Sequence, residues 1–355
     1  MKKRLVVAAA LVIALLLMPF VLVGGWSAPN SRFLENYKTY PSSSDSSGSS
    51  KAGGHTVRVL ISDTGEVEGI PVFDYICGVL AAEMPVTYEV EALKAQAVAA
   101  FSYTVYRMEG ELARPGLIPE HKGAYVCTDY RHCKSYLSKA DALKKWGREW
   151  FDAYWGKLES AVGAVENAVL TYNGMPINAV FHSISSGETE CAVDVWGADV
   201  PYLVSVQSLQ DQNAPDYQTT RSFTDTQFAE ILRAASSGVS LTGDPSGWLG
   251  GAELTQAGGV KQYTIGGVAF KGADLRELFG LRSTNFTLAY GNGTFVFTVK
   301  GYGHGVGMSQ YGANELAKEG KTWQEILRWY YTGVEISEYV WKNAQKGDVS
   351  GVSSS

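Results

Sequence analysis

A single acidic residue, Glu83, stands where an apolar helix has to end, in Ala81-Ala82-Glu83-Met84-Pro85. Pro85 has no backbone N–H and disfavours helical geometry at Met84, so the helix stops close to Glu83. A carboxyl group held at such a junction among apolar neighbours is a candidate general acid, because loss of water favours the neutral, proton-donating form. The same residue types also fit a solvated carboxylate at a helix end.

A second group has ligand chemistry. His121, Cys127 and Cys133 form H-x5-C-x5-C in a polar stretch, and imidazole and thiolate are the donors that zinc prefers. A Cys127–Cys133 disulfide fits the same pair in an oxidising compartment. His132 is a further candidate ligand, although its neighbour Cys133 makes simultaneous binding awkward. Three protein ligands leave a fourth position open, which is also the layout of a catalytic zinc. Cys77 and Cys191 sit in apolar surroundings and read as small buried side chains.

A third candidate is Gly301-Tyr302-Gly303-His304-Gly305-Val306-Gly307-Met308-Ser309-Gln310. Its glycines let the backbone turn sharply or approach a ligand, with His304 and Gln310 as polar groups in reach. A tight packing loop, in which His304 satisfies backbone groups, fits the same pattern.

The elements that must hold these residues can be read from periodicity. Thr56–Ile61 alternates as a strand. Pro71 to Ala82 reads as a short helix opened by proline. Val90 to Met108 reads as a longer one, with Val90, Leu93, Ala97 and Ala100 on one face. Three hairpins are signalled by Asn173-Gly174, Gly266-Gly267 and Gly291-Asn292-Gly293. Thr322 and Glu325 form a capping box for a helix over 323–331, with Gly333 placed to stop it. The expected fold class is α+β, with helices at both ends of the domain around antiparallel hairpins.

Charged residues make up 19% of the chain and apolar ones 45%, the balance of a globular protein. A net charge of −6 gives no electrostatic footprint for nucleic acid and suits a neutral partner better than an anionic polymer. Lys2-Lys3-Arg4 precedes an uncharged run, Leu5 to Gly25, long enough to cross a bilayer. The cationic start predicts a cytoplasmic N-terminus and an extracytoplasmic bulk. The segment Gly24-Gly25-Trp26-Ser27-Ala28 is a poor cleavage site, so an uncleaved anchor is expected rather than a signal peptide. The domain plan is therefore an anchor over 1–25, a flexible linker over 26–54, one folded domain over 55–341 and a polar tail over 342–355.

Four segments, in order, resemble the stage II sporulation protein D family. They are Ala81 to Ala100, Phe181 to Leu203 (FHSISSGETECAVDVWGADVPYL), Gly280 to Phe286 and Gly301 to Ala313. The resemblance implies a membrane-anchored lytic transglycosylase with a groove-type active site. Such an enzyme cuts the bond between N-acetylmuramic acid and N-acetylglucosamine in peptidoglycan during engulfment of the forespore. It further implies Glu83 as the catalytic acid. Lys94, Gln96, Ser183, Ser185, His304 and Gln310 would bind substrate, with Ser186 lining the same groove.

It also favours a structural zinc on His121, Cys127 and Cys133. The implied partners are glycan strands, an amidase-type sporulation protein P and a membrane protein M. The implied location is the mother-cell membrane facing the forespore. Two alternatives are a zinc-dependent wall hydrolase and a non-catalytic enhancer of a wall amidase. The chain departs from the family pattern at Phe101, where arginine is usual, and at Glu188, where a second glycine is usual.

Overall fold

The computed structural model describes residues 55–341 and the backbone of a short strand, Tyr37–Thr39. The expected membrane anchor, most of the linker and the tail lie outside the described residues. Among the described residues no helix is long and apolar enough to cross a membrane. Part of the segment expected as linker is a strand: Tyr37–Thr39 pairs antiparallel with Glu335–Tyr339. An exposed strand edge is a template for one more strand, which composition alone does not reveal.

Residues 55–341, expected as one domain, divide into two compact units, each discontinuous in sequence. The mixed α+β class holds, with several small, mainly antiparallel sheets. Helices are not confined to the two ends, because Asp225–Ala235 and Gly272–Leu278 interrupt the hairpin-rich middle.

One unit comprises residues 55–86, 97–178 and 335–341 together with Tyr37–Thr39. Thr56–Ile61 pairs antiparallel with Glu66–Pro71 and parallel with Val126–Cys127. The helix Val72–Glu83 follows, capped by Pro71 rather than containing it. Met84 is extended at φ −125° and ψ 139°, as a residue before proline should be. The second helix is longer than expected, Val90–Ala113, and its residues from Ala97 onward belong to this unit.

A 25-residue helix, Lys139–Gly163, was not legible in the sequence. Gly147, at φ 74°, breaks its periodicity in the middle. Only its second half shows the helical spacing of buried residues, at Trp155, Leu158, Ala161 and Val162. The Asn173-Gly174 hairpin forms as expected, with positive φ at both residues and Tyr172 opposite Met175.

The other unit comprises residues 87–96 and 179–334. Its core is aromatic. Phe228 stacks on Phe295 with ring centroids 3.8 Å apart, and Phe279, Phe297 and Trp248 close around them. Two three-stranded antiparallel sheets cover this core, ordered Phe286–Gly291, Thr294–Lys300, Gln218–Thr224 and Val268–Lys271, Val260–Ile265, Leu249–Leu254. Both expected hairpin turns are present, at Gly266-Gly267 and Asn292-Gly293. The capping box at Thr322 and Glu325 is formed. That helix ends at Tyr330, before Gly333, because Tyr331 turns inward and donates to the Val180 carbonyl at 2.8 Å.

Candidate functional site

The candidate residues fall into two groups, one in each unit. Glu83 is the last residue of Val72–Glu83 and is half-buried. The flanks of that helix, Leu80, Ala81 and Met84, are fully covered, so its carboxylate is the polar end of an apolar rod. Glu83 Oε1 accepts a 2.6 Å hydrogen bond from the backbone N–H of Ser135.

Two residues before Ser135 stands Cys133, in a cluster with His121, Cys127 and His132 whose ligand atoms all lie within 4.8 Å of one another. His132, the further candidate beside Cys133, is thus part of the group. Its Nδ1 is 3.3 Å from Cys127 Sγ and 3.6 Å from Cys133 Sγ. The backbone N–H groups of His132 and Cys133 both donate to the Asp129 carbonyl, and this turn lets two adjacent side chains reach one centre. His121 Nε2 lies 3.5 Å from Cys133 Sγ and 2.8 Å from His132 Nδ1. Both cysteines are free thiols rather than a disulfide.

Around a tetrahedral zinc, with bonds of about 2.0–2.3 Å, neighbouring nitrogen and sulfur donors stand about 3.3–3.7 Å apart. Three nitrogen–sulfur separations, from His132 to Cys127 and Cys133 and from His121 to Cys133, match, and the contact between the two imidazoles is shorter. Burial works against ionisation of Cys133, but the Cys127 thiol, both imidazoles and the Arg107 guanidinium outweigh it and hold the Cys133 thiol well below its usual range. Its contact with Cys133, and then burial, push the Cys127 thiol up. The donor set therefore fits a zinc ion, with four protein ligands.

Lys134, between Cys133 and Ser135, is buried, with its ammonium 4.6 Å from the Tyr103 ring centroid. Burial pulls its ammonium down to about 8, while the charges on Glu83 and Cys133 act the other way. Sequence reasoning missed Lys134 and Ser135; the signal available was their position directly after a candidate ligand. Phe101 is buried against Tyr339 and Trp341, with both ring centroids 6.0 Å away. The residue in place of the usual arginine is thus a packing residue.

The other unit holds the remaining candidates. Lys94 is tied to Glu91 by a 2.7 Å ion pair. Gln96 and Gln310 are buried and face each other, with Gln310 Nε2 3.4 Å from Gln96 Oε1 and the Gln96 amide nitrogen without a protein partner. Ser185 is buried; its N–H donates to Asp211 at 3.0 Å, and its hydroxyl accepts from Gly187 N–H. Asp211 also accepts from Ser309 Oγ at 2.8 Å, so one buried carboxylate ties the Ser185 loop to the cap of helix Gln310–Lys318. Ser183 accepts from Tyr311 N–H through its carbonyl.

In the glycine loop, Gly301, Gly303, Gly305 and Gly307 all have positive φ. A Cβ at Gly307 would meet the Val180 carbonyl, where Phe181–His182 pairs in parallel with Met308–Ser309. His304 Nδ1 accepts from Val306 N–H at 3.1 Å, so the imidazole does satisfy a backbone group, and its ring faces Trp196 at 5.4 Å between centroids. Glu188 is held by Ser205 at 2.6 Å and Gln207 at 3.2 Å. Ser185, Ser186 and His304 line one small, open depression with Glu190, Thr284 and Lys300.

Residues 61–172 match a family model described as SpoIID, stage II sporulation protein. Over 288 residues the chain is 40% identical to stage II sporulation protein D of Bacillus subtilis (strain 168), covering 81% of this chain and 80% of that protein. It is 36% identical over 345 residues to stage II sporulation protein D of Bacillus amyloliquefaciens, covering 95% and 96% of the two chains. The chain belongs to the stage II sporulation protein D family. As a member of that family it is a sporulation protein, and the matched region contains both Glu83 and the His/Cys cluster. It is also 28% identical over 310 residues to a Bacillus subtilis (strain 168) protein named amidase enhancer, covering 74% of this chain and 40% of that one.

Proposed function

We propose that the protein is a lytic transglycosylase of peptidoglycan in which Glu83 is the acid and then the base. The observation that carries this reading is the position of Glu83. It is a half-buried carboxylate at the end of an apolar helix, held by one backbone N–H and flanked by the buried Lys134. Glu83 in its neutral form protonates the oxygen between N-acetylmuramic acid and N-acetylglucosamine as the bond from that oxygen to C1 breaks. The carboxylate left behind takes the proton of the muramic acid C6 hydroxyl. That oxygen closes on C1, giving a 1,6-anhydro ring and a free 4-hydroxyl on the other fragment. Glycosidases normally use two carboxylates, the second to activate water or to attack C1. An internal hydroxyl removes the need for the second.

His121, Cys127, His132 and Cys133 would hold a zinc ion. Four protein donors leave no open position, which favours a structural role over that of a zinc hydrolase. In that role the ion braces the turn that presents Ser135 N–H to Glu83. The implied setting is a cell-membrane anchor with the domain outside the cytoplasm, acting on glycan strands whose peptides an amidase-type partner has removed. The membrane protein M would belong to the same assembly. Likeness to the amidase enhancer supports a second reading, in which the chain stimulates an amidase without cutting glycan.

Glu83→Gln tests the first reading. It keeps size and can still accept from Ser135 but cannot shuttle a proton, so cleavage of denuded glycan should fall at least ~10²-fold with folding retained. Full cleavage by Glu83→Gln would remove the assignment. Equal rates on peptide-bearing and denuded glycan would remove the proposed order of action.

A further inference from the structure

The helix Lys139–Gly163 carries a cluster of aromatic rings that the mechanism does not use. Trp150 stacks on Tyr154 with centroids 5.6 Å apart, and Trp146 makes a T-shaped contact with Tyr154 at 5.5 Å. Phe151 lies 6.5 Å from Trp146. The break at Gly147 creates the cluster, because it folds Trp146 back onto side chains of the second half of the helix. These rings are not a core. Trp150 is 51% exposed, and Trp146, Phe151 and Tyr154 are half-buried. Large apolar side chains gathered at a surface mark a place where something binds.

The surroundings of the cluster say what kind of surface it suits. Lys144, Lys145 and Arg148 flank Trp146 and are exposed. Lys144 pairs with Asp141 at 2.9 Å. Glu149 and Asp152 stand one and two positions from Trp150, so on a helix they do not share its face. Indole and phenol rings beside long cationic side chains match the headgroup layer of a bilayer. There the apolar body of a ring and its polar tip are both accommodated, and lysine and arginine reach phosphate.

The length of chain before the folded unit brings that layer within reach. Between the apolar run Leu5 to Gly25 and the strand Tyr37–Thr39 lie the eleven residues 26–36. Fully extended they span at most ~40 Å. Tyr37 pairs with Tyr339 in the strand whose Glu338 pairs with Ala168. The chain therefore enters about 10 Å, two strand spacings, from Ala168, which follows the helix after a short turn. Trp150 stands about 20 Å back along the helix from Gly163. Both lengths are shorter than the tether, so the helix can lie on the membrane without releasing Tyr37–Thr39.

We propose that the Trp146, Trp150 and Tyr154 cluster docks on the headgroup layer of the bilayer that anchors the chain. This rests on the anchor reading of Leu5 to Gly25 and not on the identity of the reaction. The contact has a consequence for the site in the same unit. Lys145 Nζ donates to the Ala81 carbonyl at 3.1 Å, two residues before Glu83. A docked helix holds Glu83 at a set height above the membrane and confines its action to the nearest wall.

The test uses the full chain reconstituted in vesicles of phosphatidylcholine and phosphatidylglycerol, with acyl chains brominated close to the headgroups. Trp26→Phe removes the tryptophan next to the apolar run. Bromine should then quench part of the remaining tryptophan fluorescence. Trp150→Gln, at an exposed position, should leave thermal unfolding unchanged and remove most of that quenching. Trp329→Phe, at a position 49% exposed in the other unit, should leave the quenching as it was. Carbonate extraction checks the anchor separately. Protein that resists extraction but is not quenched, or is quenched equally with Trp150→Gln, overturns the docking and leaves the anchor reading intact. Protein stripped from the vesicles by carbonate overturns the anchor reading and the docking with it. Weaker pelleting with denuded glycan in Trp150→Gln, at unchanged quenching, overturns the docking and assigns the rings to glycan.

Discussion

Glu83 and Ser135 are joined by a 2.6 Å hydrogen bond across 52 residues of sequence, and Ser135 lies two positions after Cys133. The carboxylate proposed for catalysis is therefore held by the same short turn that closes the His/Cys cluster. Nothing in the order of residues announces this link, because it runs through a backbone N–H that any residue could supply.

That link predicts what removing metal will do. The purified protein should hold about one zinc per chain, on the expectation for a four-ligand site. Cys127→Ser or chelation should lower hydrogen-exchange protection of the Ser135 amide at least ~10-fold while the Phe228 core stays protected, a local opening rather than global unfolding. Zinc-free protein with a protected Ser135 amide would separate the cluster from Glu83.

Restoring the family's usual arginine at position 101 should harm this chain. Phe101 is 6% exposed and surrounded by aromatic rings, so Phe101→Arg buries a guanidinium without a carboxylate made for it. The expected cost is about 3 kcal/mol or more, read as a lower midpoint in denaturant. A variant as stable as the parent would show that the Phe101 site can open to solvent.

How much of this was legible in the sequence follows from the range of the interactions. Asn173-Gly174 and Asn292-Gly293 announce their hairpins because the turn needs positive φ at adjacent residues, a local demand. The end of the helix at Glu83 was legible for the same reason, through Pro85. The parallel pairing of Phe181–His182 with Met308–Ser309 was not, since its partners lie more than a hundred residues apart. The adjacency of His132 and Cys133 argues against both binding one centre, and the turn at Asp129 removes that objection. The burial of Glu190 was not legible either, because Gly259 and Gly305, which pack against it, lie far along the chain.

His182 should give the protein a pH-dependent stability. Burial depresses its imidazole from 6.5 to about 4, with the hydrogen bond to Val306 working the other way. Nδ1–H donates to that carbonyl, and Nε2 is buried without a protein partner, so the folded state holds the neutral ring. Above about pH 6.5 both folded and unfolded forms are neutral and nothing changes. As pH falls from 6.5 toward about 4, only the unfolded chain gains the proton, and up to about 3 kcal/mol is lost. Glu190 and Asp211, whose carboxyl groups burial pushes up, oppose this trend. The comparison is therefore between the parent and His182→Asn. The variant should lack one proton's worth of slope in that window; identical slopes would place a charged or solvated ring at 182.

The central claim is that Glu83 directs an internal hydroxyl, rather than water, onto the broken bond. The most direct measurement is mass spectrometry of fragments released from denuded glycan in oxygen-labelled water. The proposed chemistry predicts fragments ending in 1,6-anhydromuramic acid, lighter by one water than hydrolysis products and free of label. Fragments with ordinary reducing ends that carry the label would contradict it and identify a hydrolase.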